Sequence, residues 1–304
     1  MQDKTSGWSQ SMAGSGTEHV GQRFRELDRW TTGDVLEALW AGQSRAVAAG
    51  LAALPAIGKA IDAAAAWLGE TGRLIYVGAG SSAVLGALDG LELTPTFNWP
   101  ASRVVVVLAG IADLHNGFDG AVEDDGAAGA AKIEAASCGP ADVVIGISAS
   151  GTSTFTVGAI ATARARGALT FGIAGNPGSP LLAAAEHAIA ILTGEEVIAG
   201  STRLAAGTAQ KCVLNLFSTG LMVRLGYVYG NLMINVRVEN AKLQRRALDM
   251  LRGITGCNEA VAATTLATCA GDLKQAVLVL NGMSPEAAKT ALAAAGGNLR
   301  RAMG

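Results

Sequence analysis

Charge, aromatic rings and cysteine spacing are what this chain has little of. Asp, Glu, Lys and Arg make up 16% of its 304 residues, the formal net charge is −2, and no run is rich in Lys or Arg. The electrostatic footprint of a nucleic-acid partner is therefore missing. So low a charge content leaves apolar helix faces uncovered on a monomer, which points to a homo-oligomer. The four cysteines, Cys138, Cys212, Cys257 and Cys269, show no C-x-x-C spacing. A chain this long builds a core without crosslinks, so free thiols in a reducing cytoplasm are expected. His19, His115 and His187 have no ligand spacing among themselves or with the cysteines, so no metal is expected. The start, Met1 to Thr17, lacks the basic end and apolar core of a secretory leader. Apolar runs are broken by glycine, serine or charge before the ~20 residues a bilayer span needs. The chain is thus expected to be cytoplasmic, with no membrane partner.

What the chain has in quantity is alanine, glycine and short β-rich runs. Residues 1–16 read as a flexible N-terminus. From Thr32 to Leu68 apolar residues recur at helical spacing, with an interruption expected near Pro55. The period then changes. Continuous apolar runs at Leu74–Val77, Val104–Leu108, Val143–Ile147, Leu169–Ile173 and Ala188–Leu192 alternate with helix-like stretches. That alternation predicts an α/β fold of three layers, α-β-α, around a parallel sheet covered on both faces. Ligands in such sheets bind beyond the carboxyl ends of the strands. After Thr202 the chain is helical again. Beyond residue 252 two related phrases, Gly271-Asp272-Leu273-Lys274-Gln275-Ala276 and Gly297-Asn298-Leu299-Arg300-Arg301-Ala302, each supply a turn glycine, a cap and a short helix. Residues 253–304 therefore read as a small helical C-terminal (UBA-like) domain with no chemical cluster of its own.

Two turns carry the chemistry. Gly78-Ala79-Gly80-Ser81-Ser82 ends the first strand and opens a helix. Such a turn exposes backbone N–H groups at a positive helix end and suits a phosphate. Ser148-Ala149-Ser150-Gly151-Thr152-Ser153-Thr154 does the same after the third strand, with hydroxyls added. A serine-rich helix cap is the plain alternative for either loop alone; together at neighbouring strand ends they favour phosphate. No P-loop lysine is present, and Gly78-Ala79-Gly80 is only part of a dinucleotide fingerprint, so no cofactor is expected. Glu92, between Leu91 and Leu93, is expected to be partly desolvated with a raised pKa, whereas Glu123 lies in the acidic run Glu123-Asp124-Asp125. Two carboxyls in contrasting settings can divide acid and base roles; a helix-end carboxylate and a solvated helix face are the plain alternatives. Ser201 or Thr202 is positioned to cap the following helix, with Arg203 and Lys211 as nearby positive charge.

In this order these pieces resemble the N-acetylmuramic acid 6-phosphate etherases of the sugar-isomerase (SIS) domain family, over about Thr17 to Gly304. The carrying residues are Tyr76-Val77-Gly78-Ala79-Gly80-Ser81-Ser82, Leu88-Asp89 with Glu92, Pro95-Thr96-Phe97, and Ser150-Gly151. Further along they are Gly172-Ile173 with Asn176-Pro177-Gly178-Ser179-Pro180, and Gly200-Ser201-Thr202-Arg203 with Ala206-Gly207-Thr208-Ala209-Gln210-Lys211. The stretch from Leu214-Asn215 to Tyr229-Gly230-Asn231-Leu232-Met233 and Thr17-Glu18 are also similar. The resemblance implies an SIS domain with flanking helices over 17–252. It also implies a homodimer and cleavage of the C3 D-lactyl ether of N-acetylmuramic acid 6-phosphate. By position, Glu92 matches the catalytic acid and Glu123 the second catalytic glutamate. Gly80, Ser81, Ser82, Ser148, Ser150, Gly151, Thr152, Ser153, Ser201 and Arg203 are the residues expected to bind the sugar phosphate. Three positions depart: the family usually has Arg at Val84 and Thr152 and Lys at Ala205. A related substrate, or a non-catalytic sugar-phosphate regulator such as those that act on glucokinase with the same architecture, is the alternative these departures keep open. An aldose–ketose isomerase is a third.

Overall fold

The computed structural model describes residues 16–110, 120–236 and 240–304. Most of the expected flexible stretch 1–16, and His115, lie outside the described residues. The chain divides into two compact units, Met1–Gly90 with Ser102–Phe217, and Leu91–Ala101 with Ser218–Gly304.

The first unit holds a five-stranded sheet: β1 (Leu74–Gly78), β2 (Val104–Leu108), β3 (Val143–Ile147), β4 (Leu169–Ala174) and β5 (His187–Ala190). Every pairing is parallel, and the order is β2-β1-β3-β4-β5. Strands β1, β3 and β4 are buried at every position, the reason each reads as a continuous apolar run rather than an alternating one. On one face Ile75, Val77, Val107 and Val144 meet helices α3 (Gly126–Ala135), α4 (Thr154–Ala165) and α5 (Pro180–Ala184) through Ile133, Phe155, Ile160 and Leu181. On the other, Tyr76 and Phe171 face α2 (Gly80–Phe97) and α6 (Ala205–Arg224). Tyr76 Oη donates to Asp89 Oδ2 at 2.9 Å and Asn215 Nδ2 to Asp89 Oδ1 at 3.2 Å, so one buried carboxylate joins β1, α2 and α6. Burial, then the Asp89 charge, pushes the Tyr76 phenol well above its ordinary value.

Helix α1 (Thr32–Trp67) runs 36 residues straight through Pro55. The expected break is not there. Proline's φ already suits a helix and it forfeits one backbone bond, while Gly42, Ala46, Gly50, Ala53, Ile57, Ala60 and Ala64 hold one buried face along the helix on both sides of it. Arg45, near its middle, donates to the carbonyls of Thr193 at 3.1 Å and Glu195 at 3.0 Å. By length and composition alone α1 is apolar enough to cross a membrane, contrary to the expectation that every apolar run breaks too early.

The second unit has its own core, Ala247, Met250 and Leu251 of α7 (Ala241–Thr255) packing with α8 (Glu259–Thr268), α9 (Leu273–Leu280), α10 (Pro285–Ala294) and α11 (Leu299–Met303). Residue 253, the expected domain boundary, falls inside this packed group. Each of these helices starts on a side-chain cap, including Asp272 onto Gln275 N at 3.0 Å and Asn298 onto Arg301 N at 3.1 Å, as the two repeated phrases indicate.

Asp142, 5% exposed, fastens the amino-terminal edge of the sheet. Its carboxylate accepts from Arg73 Nη2 at 2.7 Å, Arg73 Nε at 3.0 Å, and the N–H groups of Arg73 and Gly139 at 3.0 Å. Burial alone would raise this carboxyl; the Arg73 guanidinium and the backbone N–H groups outweigh it and hold it below its ordinary value. Its stabilisation is therefore present above the unfolded carboxyl pKa of about 3.9 and is lost as pH falls through the lower folded value. Asp142→Asn is expected to cost about 2–4 kcal/mol in urea unfolding at pH 7 and to flatten the loss of stability below about pH 4. An unchanged denaturation midpoint would refute this role.

Candidate active site

Strand order reverses between β1 and β3, and there the carboxyl-end crevice of a parallel sheet opens. Both hydroxyl-rich turns stand at that crevice. After β1, Gly80 takes φ +53°, a left-handed conformation that glycine adopts without strain. The first backbone bond of α2 is Ala83 N to Ala79 O at 3.2 Å, so the N–H groups of Gly80, Ser81 and Ser82 precede the helical ladder and face outward as donors. After β3, Gly151 takes φ +79°, and a Cβ there would collide with Ser179 Oγ and stand 2.9 Å from the Ala174 methyl. Ser148 Oγ accepts from Gly151 N at 3.0 Å, and Ser150 Oγ accepts from Thr152 N at 3.2 Å, so the loop is shaped by its own hydroxyls. Ser153 caps α4 through Thr156 N at 3.5 Å and donates to the Glu123 carbonyl at 3.3 Å, bringing the acidic turn to the serine loop.

Between the turns lies a cavity of about 230 Å³. Gly80, Ser81 and Ser82 form one wall, Ser148, Ser150 and Ser153 a second, and Glu18, Glu123 and Thr202 complete it. Glu123 is half-buried; loss of water, then the neighbouring Asp124 charge, raises its pKa above the ordinary carboxylate value. This inverts the expected contrast. The acidic run supplies the desolvated carboxyl, while Glu92 is exposed on α2 beside Leu91, which is 67% exposed. A larger groove of about 660 Å³, with Phe24, Trp30, Leu36 and Ile198 among its walls, is mainly apolar and has none of these donors.

A profile of the SIS domain matches residues 122–219. An N-acetylmuramic acid 6-phosphate etherase of Deinococcus radiodurans is 46% identical over 290 residues, covering 95% of each chain. One of Rubrobacter xylanophilus is 44% identical over 289 residues, again with 95% of each chain covered. The chain belongs to the N-acetylmuramic acid 6-phosphate etherase family. Among solved structures, a candidate phosphosugar isomerase of Bacteroides fragilis involved in capsule formation shares the fold. Its TM-score is 0.50 at 17% identity, over 66% of this chain and 95% of that one.

Within this etherase-family chain, seven residues singled out from sequence line the cavity: Gly80, Ser81, Ser82, Ser148, Ser150, Ser153 and Glu123. Five others do not line it. Gly151 is turned back against Ser179, and the Thr152 hydroxyl is 2.7 Å from Ser150 Oγ. Ser201 gives way to its neighbour Thr202, and Arg203 is exposed. Glu92 is exposed, and it falls in the second compact unit rather than in the one that holds the cavity residues. The cap of α6 also differs from the expected hydroxyl. Buried Glu196 accepts from Ala205 N at 2.9 Å and Ala206 N at 2.8 Å, placing a carboxylate at the positive helix end. Glu18 and Gln210 were not among the expected site residues. Gln210 Oε1 accepts the Ser82 hydroxyl at 3.0 Å, a contact across 128 residues that no local pattern signals.

Titration of the Glu123 carboxyl by carbon-detected NMR is expected to give a pKa above the free-glutamate value of about 4.3. Asp124→Asn removes one cause and should move it down. A Glu123 value at or below that of free glutamate would contradict the desolvated setting.

Proposed function

We propose that the chain cleaves the C3 D-lactyl ether of N-acetylmuramic acid 6-phosphate, releasing N-acetylglucosamine 6-phosphate and D-lactate. One observation carries the reading. A single cavity joins two N–H- and hydroxyl-rich turns to a desolvated glutamate, in a chain 46% identical to an etherase across 95% of its length. The donors suit the phosphate. Opening the sugar ring exposes the C1 aldehyde and acidifies the C2 proton. A base then takes that proton, the C3–O bond breaks as the departing lactate oxygen gains a proton, and water adds to the unsaturated aldehyde. Glu123 is assigned to the C2 proton or to ring opening. A raised pKa brings a carboxylate base closer to the strength such a proton demands. Glu92 is assigned to protonating the leaving oxygen and then activating water.

A homodimer with its sites near the subunit contact accommodates the exposed Glu92. Leu88 and Leu91, 42% and 67% exposed, flank it on one helix. On α1, Leu36, Trp40, Val47, Leu51 and Leu54 are also exposed, within an arc of about 60° at 100° per residue. A second copy is the occupant that covers an uncharged stripe of this kind on each subunit at once. The sugar phosphate is charged and held inside cells, so the same reading places the enzyme in the cytoplasm.

A second reading, a sugar-phosphate-binding regulator, is favoured by one feature: no lysine or arginine lines the cavity among the described residues. Incubation with N-acetylmuramic acid 6-phosphate separates the two. Equimolar D-lactate and N-acetylglucosamine 6-phosphate are expected, with Glu123→Gln and Glu92→Gln each lowering kcat about 10²- to 10⁴-fold. Binding of the sugar phosphate with no lactate released would select the regulator.

A further inference from the structure

Glu18 enters the cavity from a turn that the sheet itself holds in place. Thr17 is 1% exposed. Asn176 Nδ2 donates to the Ser150 carbonyl at 3.0 Å and approaches Thr17 Oγ1 at 3.5 Å, so one amide ties the N-terminal turn to the serine loop. Gly16, at φ +58°, lies so close to Asn176 Oδ1 that a Cβ would collide with it, and a Cβ on Gly175 would stand 3.2 Å from the Thr17 methyl. Gly16 and Thr17 thus fit closely against Asn176 and Gly175. Glu18 then lines the cavity, its Oε2 3.4 Å from where a Cβ on Gly200 would be. Among the described residues its carboxylate makes no hydrogen bond or ion pair.

The cavity therefore has two kinds of lining. Gly80–Ser82 and Ser148–Ser153 supply donors, and the carboxyl groups of Glu123 and of the exposed Glu18 line the same space, the Glu18 carboxylate as an acceptor only. An amino-sugar phosphate has the matching asymmetry, since its phosphate only accepts whereas its hydroxyls and acetamido N–H donate. Like charge keeps the phosphate away from Glu18, and charge-assisted hydrogen bonds draw the sugar donors towards it. We propose that Glu18 accepts hydrogen bonds from hydroxyl or acetamido N–H donors of the bound amino-sugar phosphate and so sets which end of the ligand meets the serine loop. The assignment rests on the sugar-phosphate reading above and adds a specificity residue to it.

Calorimetric titration of the full chain with N-acetylglucosamine 6-phosphate and, separately, inorganic phosphate tests it without requiring turnover. Glu18→Ala should weaken the sugar phosphate about 10- to 100-fold and leave inorganic phosphate as tight or tighter. Glu18→Gln keeps the shape and an acceptor, so its loss should be smaller and in the same direction, at an unchanged melting temperature. Sugar-phosphate affinity equal to wild type in both variants would overturn the proposal. So would a parallel loss of both ligands in Glu18→Gln, which would mean that the turn merely supports the loop. A wild-type chain that binds neither ligand would refute the sugar-phosphate reading itself.

Discussion

Two left-handed glycines, Gly80 and Gly151, stand at adjacent strand tips, and the rest of the site depends on them. Each lets the backbone turn sharply enough that N–H groups point out of the sheet rather than into a ladder. At Gly151 no side chain fits, because Ser179 and Ala174 occupy the space. The strand order places these two turns side by side, because β1 and β3 are neighbours although β2 lies between them in sequence. Anion-binding donors from residues about seventy positions apart thus converge on one small cavity. The Tyr76–Asp89–Asn215 and Arg73–Asp142 contacts hold β1 against its helices and its neighbouring strand, and thereby hold the tips.

The carboxyls divide by environment, as acid–base chemistry requires, but not in the way their immediate neighbours in sequence suggest. Leu91 and Leu93 flank Glu92, yet on a helix adjacent residues point to different sides. Leu93 is buried, whereas Leu91 and Glu92 are exposed. Glu123 looks solvated among Asp124 and Asp125, yet Ser153 draws its backbone to the serine loop and half-buries it. A contact between residues 30 positions apart holds the Glu123 backbone at the serine loop, where its carboxyl group is partly desolvated.

What the sequence made legible was whatever local period or turn chemistry encodes. The continuous apolar runs marked all five strands, and Asp272 and Asn298 were readable as caps because a capping side chain reaches only two or three residues ahead. The two phosphate-type turns were readable for the same reason. Illegible features depended on distant contacts. Glu18 is brought to the cavity by Asn176, and the α6 cap comes from Glu196 rather than from the adjacent hydroxyls. The continuity of α1 through Pro55 is likewise tertiary, because the small residues packed on either side outweigh one missing backbone bond. Resemblance to the etherases named the family and the two glutamates; it did not indicate which of them a single chain would desolvate.

A crystal structure of the chain bound to N-acetylglucosamine 6-phosphate is the most direct test of the central claim. The account predicts phosphate oxygens within hydrogen-bond distance of the N–H groups of Ser81 or Ser82 and of Ser150 Oγ, with the sugar C2 beside Glu123. A phosphate seated in the apolar groove near Phe24 and Ile198, or sugar carbons far from Glu123, would contradict it.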